Sequence, residues 1–325
     1  MSLPNDERTD VLLANSYFMA YDRKEQRIEG PYAPLGPLYI ASCLREADIQ
    51  PSFFDGTHAT GLRSFAAVLD AERPRVLGVY ATVISRHIAL RMAKVAQRRG
   101  IPVVAGGPDP SADPDAYLDS GLVDVVARGE GEVSAVNLGR HYLESSPSDL
   151  HDIQGLSMRE NGGIIHTPDQ PYIEDLDRVP YPARDLMDWS AYEATTRRFH
   201  GMSQLTLMTA RGCPFQCTWC CKPIFGAQYR HRSPGNVVGE MLEVKGRYRP
   251  GMLRFADDIL TINRRKFMEL ADGIERAGAQ IPFECLTRVD LVDEEVLRRL
   301  RDIGCRKILY GVESGSQRVL DSMKK

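Results

Sequence analysis

The strongest constraint on the fold is the regular alternation of short apolar runs with amphipathic stretches through the first 145 residues. Val11-Leu12-Leu13-Ala14-Asn15-Ser16 reads as a buried strand, and further strands are expected at 51–54, 76–81, 102–105 and 123–127. Helical patterns stand between and after them, over 38–47, 62–71, 86–99, 115–120 and 133–143. Apolar strands separated by helices of this length specify a doubly wound parallel sheet, Rossmann-like in architecture and covered on both faces. Ligands of such sheets bind at the carboxyl ends of the strands. Two glycine turns fall there, Gly106-Gly107-Pro108 and Arg128-Gly129-Glu130-Gly131-Glu132. Without a Cβ a backbone lets a large ligand approach, although a Gly-Gly pair alone is equally well read as a turn. No G-x-G-x-x-G follows the first strand, which disfavours NAD.

A chain of 325 residues suggests two domains. The second half resumes the alternation: strands at 252–256, 282–286 and 307–312, and helices at 236–248, 264–277, 294–303 and from 316. That is a β/α barrel pattern, whose active site lies at the strand carboxyl ends. Residues 146–200 read as a connector. It holds a hairpin turning at Asn161-Gly162 and the proline-rich stretch Asp177-Arg178-Val179-Pro180-Tyr181-Pro182-Ala183-Arg184. The expected division is therefore 1–145, 146–200 and 201–325. A formal charge of −3 leaves no electrostatic footprint for nucleic acid. No apolar run is long enough to span a bilayer, and Met1-Ser2-Leu3-Pro4-Asn5-Asp6-Glu7 does not read as a signal peptide. Seven cysteines, three of them clustered, point to a reducing compartment and so to the cytoplasm.

The clustered cysteines are Cys213, Cys217 and Cys220, in Arg211-Gly212-Cys213-Pro214-Phe215-Gln216-Cys217-Thr218-Trp219-Cys220-Cys221-Lys222-Pro223. They sit on the loop leaving a short strand expected at 204–210. Thiolates are soft ligands that suit zinc or iron–sulfur clusters. A structural zinc site recruits four ligands, and the spare thiol, Cys221, adjoins Cys220, where neighbouring side chains point apart. Three thiolates on a 4Fe–4S cluster leave one iron open for chemistry.

This Cys-x-x-x-Cys-x-x-Cys spacing, with an aromatic residue before the third cysteine, resembles the radical S-adenosylmethionine superfamily. The resemblance implies that Cys213, Cys217 and Cys220 hold a 4Fe–4S cluster and that the main chain at Trp219 lies against adenine. S-adenosylmethionine would chelate the open iron, and an electron donor such as flavodoxin or ferredoxin would drive its cleavage to a 5′-deoxyadenosyl radical. Asp257 and Asp258 correspond to the element holding the amino group of S-adenosylmethionine. Arg288 can pair with its carboxylate through a forked donor geometry, and Glu313 or Ser314 can reach its ribose. Read alone, Asp257, Asp258 and Ser314 also stand where helix caps occur, and Arg288 and Glu313 also suit surface ion pairs.

A doubly wound domain ahead of such a core resembles the cobalamin-binding class of that superfamily. The matching residues are Tyr32-x-Pro34-Leu35-Gly36-Pro37-Leu38-Tyr39, Phe53-Phe54-Asp55 and Gly106-Gly107-Pro108-x-Pro110, the first in a loop that starts at Gly30. By this resemblance Gly106 and Gly107 lie against the cobalamin nucleotide tail, Gly129 follows its strand in the same way, and Thr82 opens the Thr82-Val83-Ile84 counterpart of a serine-x-leucine element. Cobalamin domains that ligate cobalt do so through a histidine in Asp-x-His-x-x-Gly after the first strand. The nearest approach here, Asp55-Gly56-Thr57-His58-Ala59-Thr60-Gly61, is one residue too long and follows the second strand. His58 is read as a loop histidine, which leaves the lower cobalt face unassigned.

The expected function is that of a cobalamin-dependent radical S-adenosylmethionine methyltransferase acting on an unactivated carbon or a phosphinate phosphorus of a small molecule. The family chemistry uses S-adenosylmethionine twice, once as radical source and once to remethylate cobalamin. Oxidative cyclisation or rearrangement without methyl transfer is the nearest alternative, and a non-catalytic cobalamin- or cluster-binding sensor is the alternative from another class. Methylthiotransferases carry further cluster cysteines in the amino-terminal domain, where this chain has only Cys43. No catalytic residue is assigned. Four strand–helix units where the family core has six, and a closing helix without a stop signal, lead to the expectation of a fragment of a longer protein.

Overall fold

A computed structural model describes residues 9–28, 31–144 and 149–325. The opening residues, Gly30 and the expected boundary at 145/146 lie outside the described residues. The chain divides into two compact units: Met1–Glu29, Pro34–Tyr172 and Pro180–Asp188 form one, and Gly30–Ala33, Ile173–Val179 and Trp189–Lys325 the other.

In the first unit β1 (Val11–Asn15) is followed by α1 (Glu25–Ile28), α2 (Leu35–Glu46), β2 (Pro51–Asp55), α3 (Leu62–Glu72), β3 (Val76–Tyr80) and α4 (Arg86–Gln97). Then come β4 (Val103–Gly106), α5 (Pro108–Ala112), α6 (Pro114–Leu118), β5 (Val125–Ala127), α7 (Gly131–Leu143) and the hairpin β6 (Leu156–Glu160) and β7 (Gly163–His166). The sheet order is β2-β1-β3-β4-β5-β6-β7. Its first five strands are parallel, with the order reversing between β1 and β3. Side chains alternate across it as strand geometry requires. Leu12, Ala14, Leu77, Val79, Val103 and Ala105 pack on one face with Phe65, Leu69, Ile88 and Met92. Val11, Leu13, Val104 and Val125 pack on the other with Leu44 and Leu138. Burial on both faces explains why these strands read as unbroken apolar runs.

The hairpin turns at Asn161 (φ 49°) and Gly162 (φ 83°), the left-handed pair of a tight two-residue turn. It is not a free connector: β6 pairs antiparallel with β5 and extends the sheet.

The second unit starts with α8 (Trp189–His200), within the stretch expected to be connector, and continues with β8 (Gln204–Leu207), β9 (Ala210–Arg211), β10 (Arg230–His231) and α9 (Pro234–Arg247). After these come β11 (Met252–Phe255), α10 (Arg264–Arg276), β12 (Phe283–Thr287), α11 (Glu294–Asp302), β13 (Cys305–Tyr310) and α12 (Gln317–Met323). Its main sheet is parallel, ordered β13-β12-β11-β8, the β/α pattern expected of a barrel wall. Leu205, Leu207, Leu253, Phe255 and Phe283 are buried, and the last two rings meet edge to face at 4.9 Å. The opposite face carries a polar row across the register: Thr206 beside Arg254, Arg254 beside Glu284, Glu284 beside Lys307. Helices start where side-chain caps allow: Ser233, Asn263 and Asp293 accept from the backbone N–H of Asn236, Lys266 and Val296. No helix among the described residues is long and apolar enough to cross a membrane.

Candidate functional site

The cysteine loop leaves β9 and returns through β10, which pairs Arg211 with Arg230 and His231 with Ala210. Cys213 is buried, Cys217 is half-buried, and Cys220 and Cys221 are exposed. The first three thiols lie within electrostatic reach of one another, and burial raises the Cys220 thiol while Lys222 opposes the shift. Among the described residues no group of three or more His, Cys, Asp or Glu side chains is gathered so as to hold a single metal ion. A four-iron cluster asks for something looser, because each thiolate binds a different iron at a separate corner. Three soft donors on one open loop fit that group.

Behind the loop stands Asp257, just past β11. Its carboxylate accepts from the Thr209 N–H at 2.8 Å, from the Thr209 hydroxyl at 3.1 Å and from the Ala210 N–H. It is 2% exposed, and its second oxygen has no hydrogen-bond partner. The carboxylate therefore ties β11 to the joint between β8 and β9 through one oxygen. Asp258 faces solvent. Partial burial of the carboxyl still pushes it up, while Lys222 opposes the shift.

Burial pushes the Asp257 carboxyl up to about 6, against 3.8 unperturbed, and the three donors from Thr209 and Ala210 only partly offset that. Well below pH 3.8 both folded and unfolded chains carry the acid protonated. As pH rises from 4 to 6 the unfolded chain ionises first, so stability falls, and well above 6 the loss is complete. A shift of this size corresponds to about 3 kcal/mol. The unfolding free energy of the native protein minus that of Asp257→Asn should fall by about that amount between about pH 3 and pH 7. A flat difference from pH 4 to 7 would show that the carboxyl is not perturbed.

Arg288 follows β12. Its guanidinium lies 4.0 Å from the Phe215 ring on the cysteine loop. The fork expected to receive a ligand carboxylate is already taken: Nε and Nη2 donate to the two Asp290 oxygens, both at 2.9 Å. An acid two residues on reaches the guanidinium without crossing any packing, which is why the pair forms. The third nitrogen, Nη1, is buried without a partner. Glu313 has a left-handed backbone (φ 59°), uncommon outside glycine, and lies 3.6 Å from Lys325. The Ser314 hydroxyl accepts from the Ser316 N–H at 3.1 Å, a local turn ahead of α12. Trp219 is 45% exposed at the tip of the cysteine loop.

In the first unit Thr82, Gly106, Gly107 and Gly129 end or follow adjacent parallel strands and so share one edge. They are not equivalent. A Cβ on Gly107, at φ 105°, would stand 2.7 Å from the Ala81 carbonyl, so the turn itself demands glycine there. A Cβ on Gly106 would meet only the Ala127 carbonyl, at 3.8 Å, so nothing in the fold requires its absence. Gly106 is thus the residue whose missing side chain speaks for a ligand. Arg86 fastens the same turn from behind, bidentate to Asp109 at 2.7 and 2.8 Å and to Asp113 at 2.9 Å, with the Tyr117 hydroxyl donating to Asp109 at 2.6 Å.

On the same edge Val83 and Ile84 are 74% and 63% exposed, an apolar tip beside Thr82. A buried network that sequence reading missed completes the edge. The Asn15 amide donates to Asp55 and Thr57, and the Ser16 and Ser85 hydroxyls bond at 2.8 Å. The available signal was Asn15-Ser16, two polar residues ending an apolar run. His58 lies in a one-turn 3-10 segment after β2, where burial lowers its imidazole pKa despite Asp55 and Asp188. Exposed apolar surface, a dispensable Cβ and a polar rim fit a large planar cofactor with a polar tail.

Comparison with known proteins finds a family model in each half of the chain. Residues 26–138 match the family model of the B12 binding domain and residues 207–325 that of the Radical SAM superfamily. An uncharacterized methyltransferase of Pyrococcus horikoshii is 30% identical over 303 residues, which is 90% of this chain and 63% of the relative. The anaerobic magnesium-protoporphyrin IX monomethyl ester cyclase of Cereibacter sphaeroides is 28% identical over 308 residues, 92% of this chain and 50% of the relative. Among solved structures, the cobalamin-dependent S-adenosylmethionine radical enzyme OxsB, with aqua-cobalamin and S-adenosylmethionine bound, aligns with a TM-score of 0.82 at 18% identity, over 98% of this chain and 46% of that one. The chain thus spans between 46% and 63% of the length of these proteins. With a B12 binding domain followed by a Radical SAM superfamily domain, it belongs to the cobalamin-dependent radical S-adenosylmethionine family.

Proposed function

We propose that the protein is a cobalamin-dependent radical S-adenosylmethionine methyltransferase acting on a small molecule, with cobalamin at the glycine edge of the first unit and the cluster on the cysteine loop of the second. The observation that carries this reading is the three-thiol loop at the carboxyl end of a parallel β/α sheet, in a chain that also holds a B12 binding domain. When bound, the cluster and S-adenosylmethionine supply a carbon radical and cobalamin supplies the methyl group. The chain's own part is to bind and orient. Cys213, Cys217 and Cys220 would hold the cluster, with Trp219 against the adenine. Asp258 would take the amine of S-adenosylmethionine, and Glu313 or Ser314 its ribose. Arg288, its fork closed by Asp290, offers the carboxylate its remaining donor. Gly106, Thr82 and Gly129 would contact cobalamin. A small redox protein of the flavodoxin or ferredoxin kind would deliver the electron, and seven free thiols suit a reducing compartment such as the cytoplasm.

The relative named as an anaerobic cyclase favours a second reading, the same cofactors used without methyl transfer. Product analysis after anaerobic turnover separates the two. Methyl transfer should release 5′-deoxyadenosine and S-adenosylhomocysteine together, whereas cyclisation or rearrangement should release the nucleoside alone. Neither product would indicate the sensor.

Gly106→Val should weaken cobalamin binding by about tenfold or more, the equivalent of roughly 1.4 kcal/mol, because a branched side chain would occupy ligand space without disturbing the fold. His58→Ala should leave the cobalt absorption spectrum nearly unchanged. Equilibrium titration with cobalamin measures both, and a large spectral change on loss of His58 would make it a cobalt ligand.

A further inference from the structure

The cysteine loop is tied shut by a residue that ligates nothing. The Lys222 ammonium donates to the Cys213 carbonyl at 2.7 Å and to the Phe215 carbonyl. One side chain thus closes a ring from residue 213 to residue 222 with all three cluster cysteines inside it. Between β9 and β10 the chain has no regular structure. The main-chain bonds of the ligand stretch are few: Cys213 N–H to Gly226 at 3.3 Å, Cys220 N–H to Cys217 at 3.1 Å and Thr218 N–H to Met323 at 3.0 Å. A loop so sparsely bonded gains much of its order from a single cross-tie, because closing it in advance removes entropy that cluster assembly would otherwise have to overcome.

Lysine ammonium groups ordinarily stay in water on a flexible stem. Here the side chain is half-buried and held by two carbonyls, dipoles that orient its charge without cancelling it. The ammonium stands at the carbonyl of one of the proposed ligands, Cys213. A fixed positive charge beside a cluster stabilises whichever redox state is more negative, and net charge and hydrogen bonding are among the factors that set cluster potentials.

We propose that Lys222 is a positioning residue for the iron–sulfur centre: it holds the cysteine loop in the cluster-ready shape and favours the reduced cluster through its fixed charge. The inference rests on the reading of Cys213, Cys217 and Cys220 as cluster ligands. Its test uses the full chain and three variants, Lys222→Arg, Lys222→Gln and Lys222→Met, each reconstituted anaerobically with iron and sulfide. Iron per chain is measured after gel filtration, and the cluster midpoint potential by redox titration followed by electron paramagnetic resonance.

Lys222→Gln keeps a donor for the carbonyls and loses the charge. It should retain its iron and titrate at a more negative potential. Lys222→Met loses both functions and should shed most of its iron. Lys222→Arg should restore the native potential. A purely structural role would lower iron content without moving the potential of the clusters that remain, so the Gln variant decides the matter even if the Met variant fails to fold. A native chain that takes up no iron overturns the ligand assignment and this inference with it. A native chain that loads iron while Lys222→Gln titrates at the native potential overturns the role of Lys222 alone.

Discussion

Cys217→Ala should leave the protein without its cluster. Native chain reconstituted anaerobically should hold about four irons, each bound cysteine serving a different corner. The middle ligand is half-buried, and the two thiols that remain cannot hold three corners. Cys213→Ala and Cys220→Ala should behave alike, with iron falling nearly to background and the visible absorption lost. Cys221→Ala, which removes an exposed thiol one position further on, should load normally. Cys285→Ala should load as well, though with reduced stability, because that thiol is buried in β12 and its removal leaves a small cavity. Iron and sulfide analysis checks the series. Native iron content in Cys217→Ala would end the assignment.

Glu240→Ala should unfold the second unit at much lower denaturant. Glu240 is fully buried on α9 and pairs with the nearly buried guanidinium of Arg232, which also donates to Asn236 at 2.6 Å and to the Met208 carbonyl at 2.8 Å. Removing only the acid strands a cation in the interior, at a cost of about 3–5 kcal/mol. That is a large part of the stability of an ordinary domain. Replacing both partners, as in Arg232→Met with Glu240→Leu, should recover most of the loss, because no charge is then left unpaired. Both tryptophans, Trp189 and Trp219, belong to the second unit, so fluorescence follows its transition alone. A midpoint for Glu240→Ala equal to the native one would mean that the pair is solvated. The effect should also reach the site, since Met208 ends the approach to the cysteine loop.

Much of the fold was legible because its strands are buried on both faces. That burial makes Val11–Asn15, Val76–Tyr80 and Val103–Gly106 apolar at nearly every position rather than alternating, and runs of four or five residues suit strands by their length. Asn161-Gly162 announced a hairpin for an equally local reason. That β6 then pairs with β5 was not legible, since partner choice is a tertiary matter. Helix α8 escaped notice because its buried side chains, Tyr192 and Thr196, are too sparse to write an apolar stripe. Within the site the cysteines were visible by spacing. Asp257 and Asp258 look identical in sequence, and only burial separates the brace from the exposed acid. That Asp290 takes two of the Arg288 donors was not legible, because the pair is set by the turn after β12. Lys222 gave no signal, as lysines on loops are usually solvated.

The position of β1 has a consequence for the order of assembly. It lies between β2 and β3, parallel to both, so each of its edges is satisfied by a strand that arrives only after an intervening helix. During synthesis it leaves the ribosome with both rows of backbone groups unpaired, and the second row waits until Val76–Tyr80 has emerged. Parallel pairing across such separations is slow, because loop closure precedes any reward from contact. The chain therefore passes through a stage in which a buried, largely apolar strand is open on both sides, the stage at which chaperones would bind and at which aggregation competes with folding.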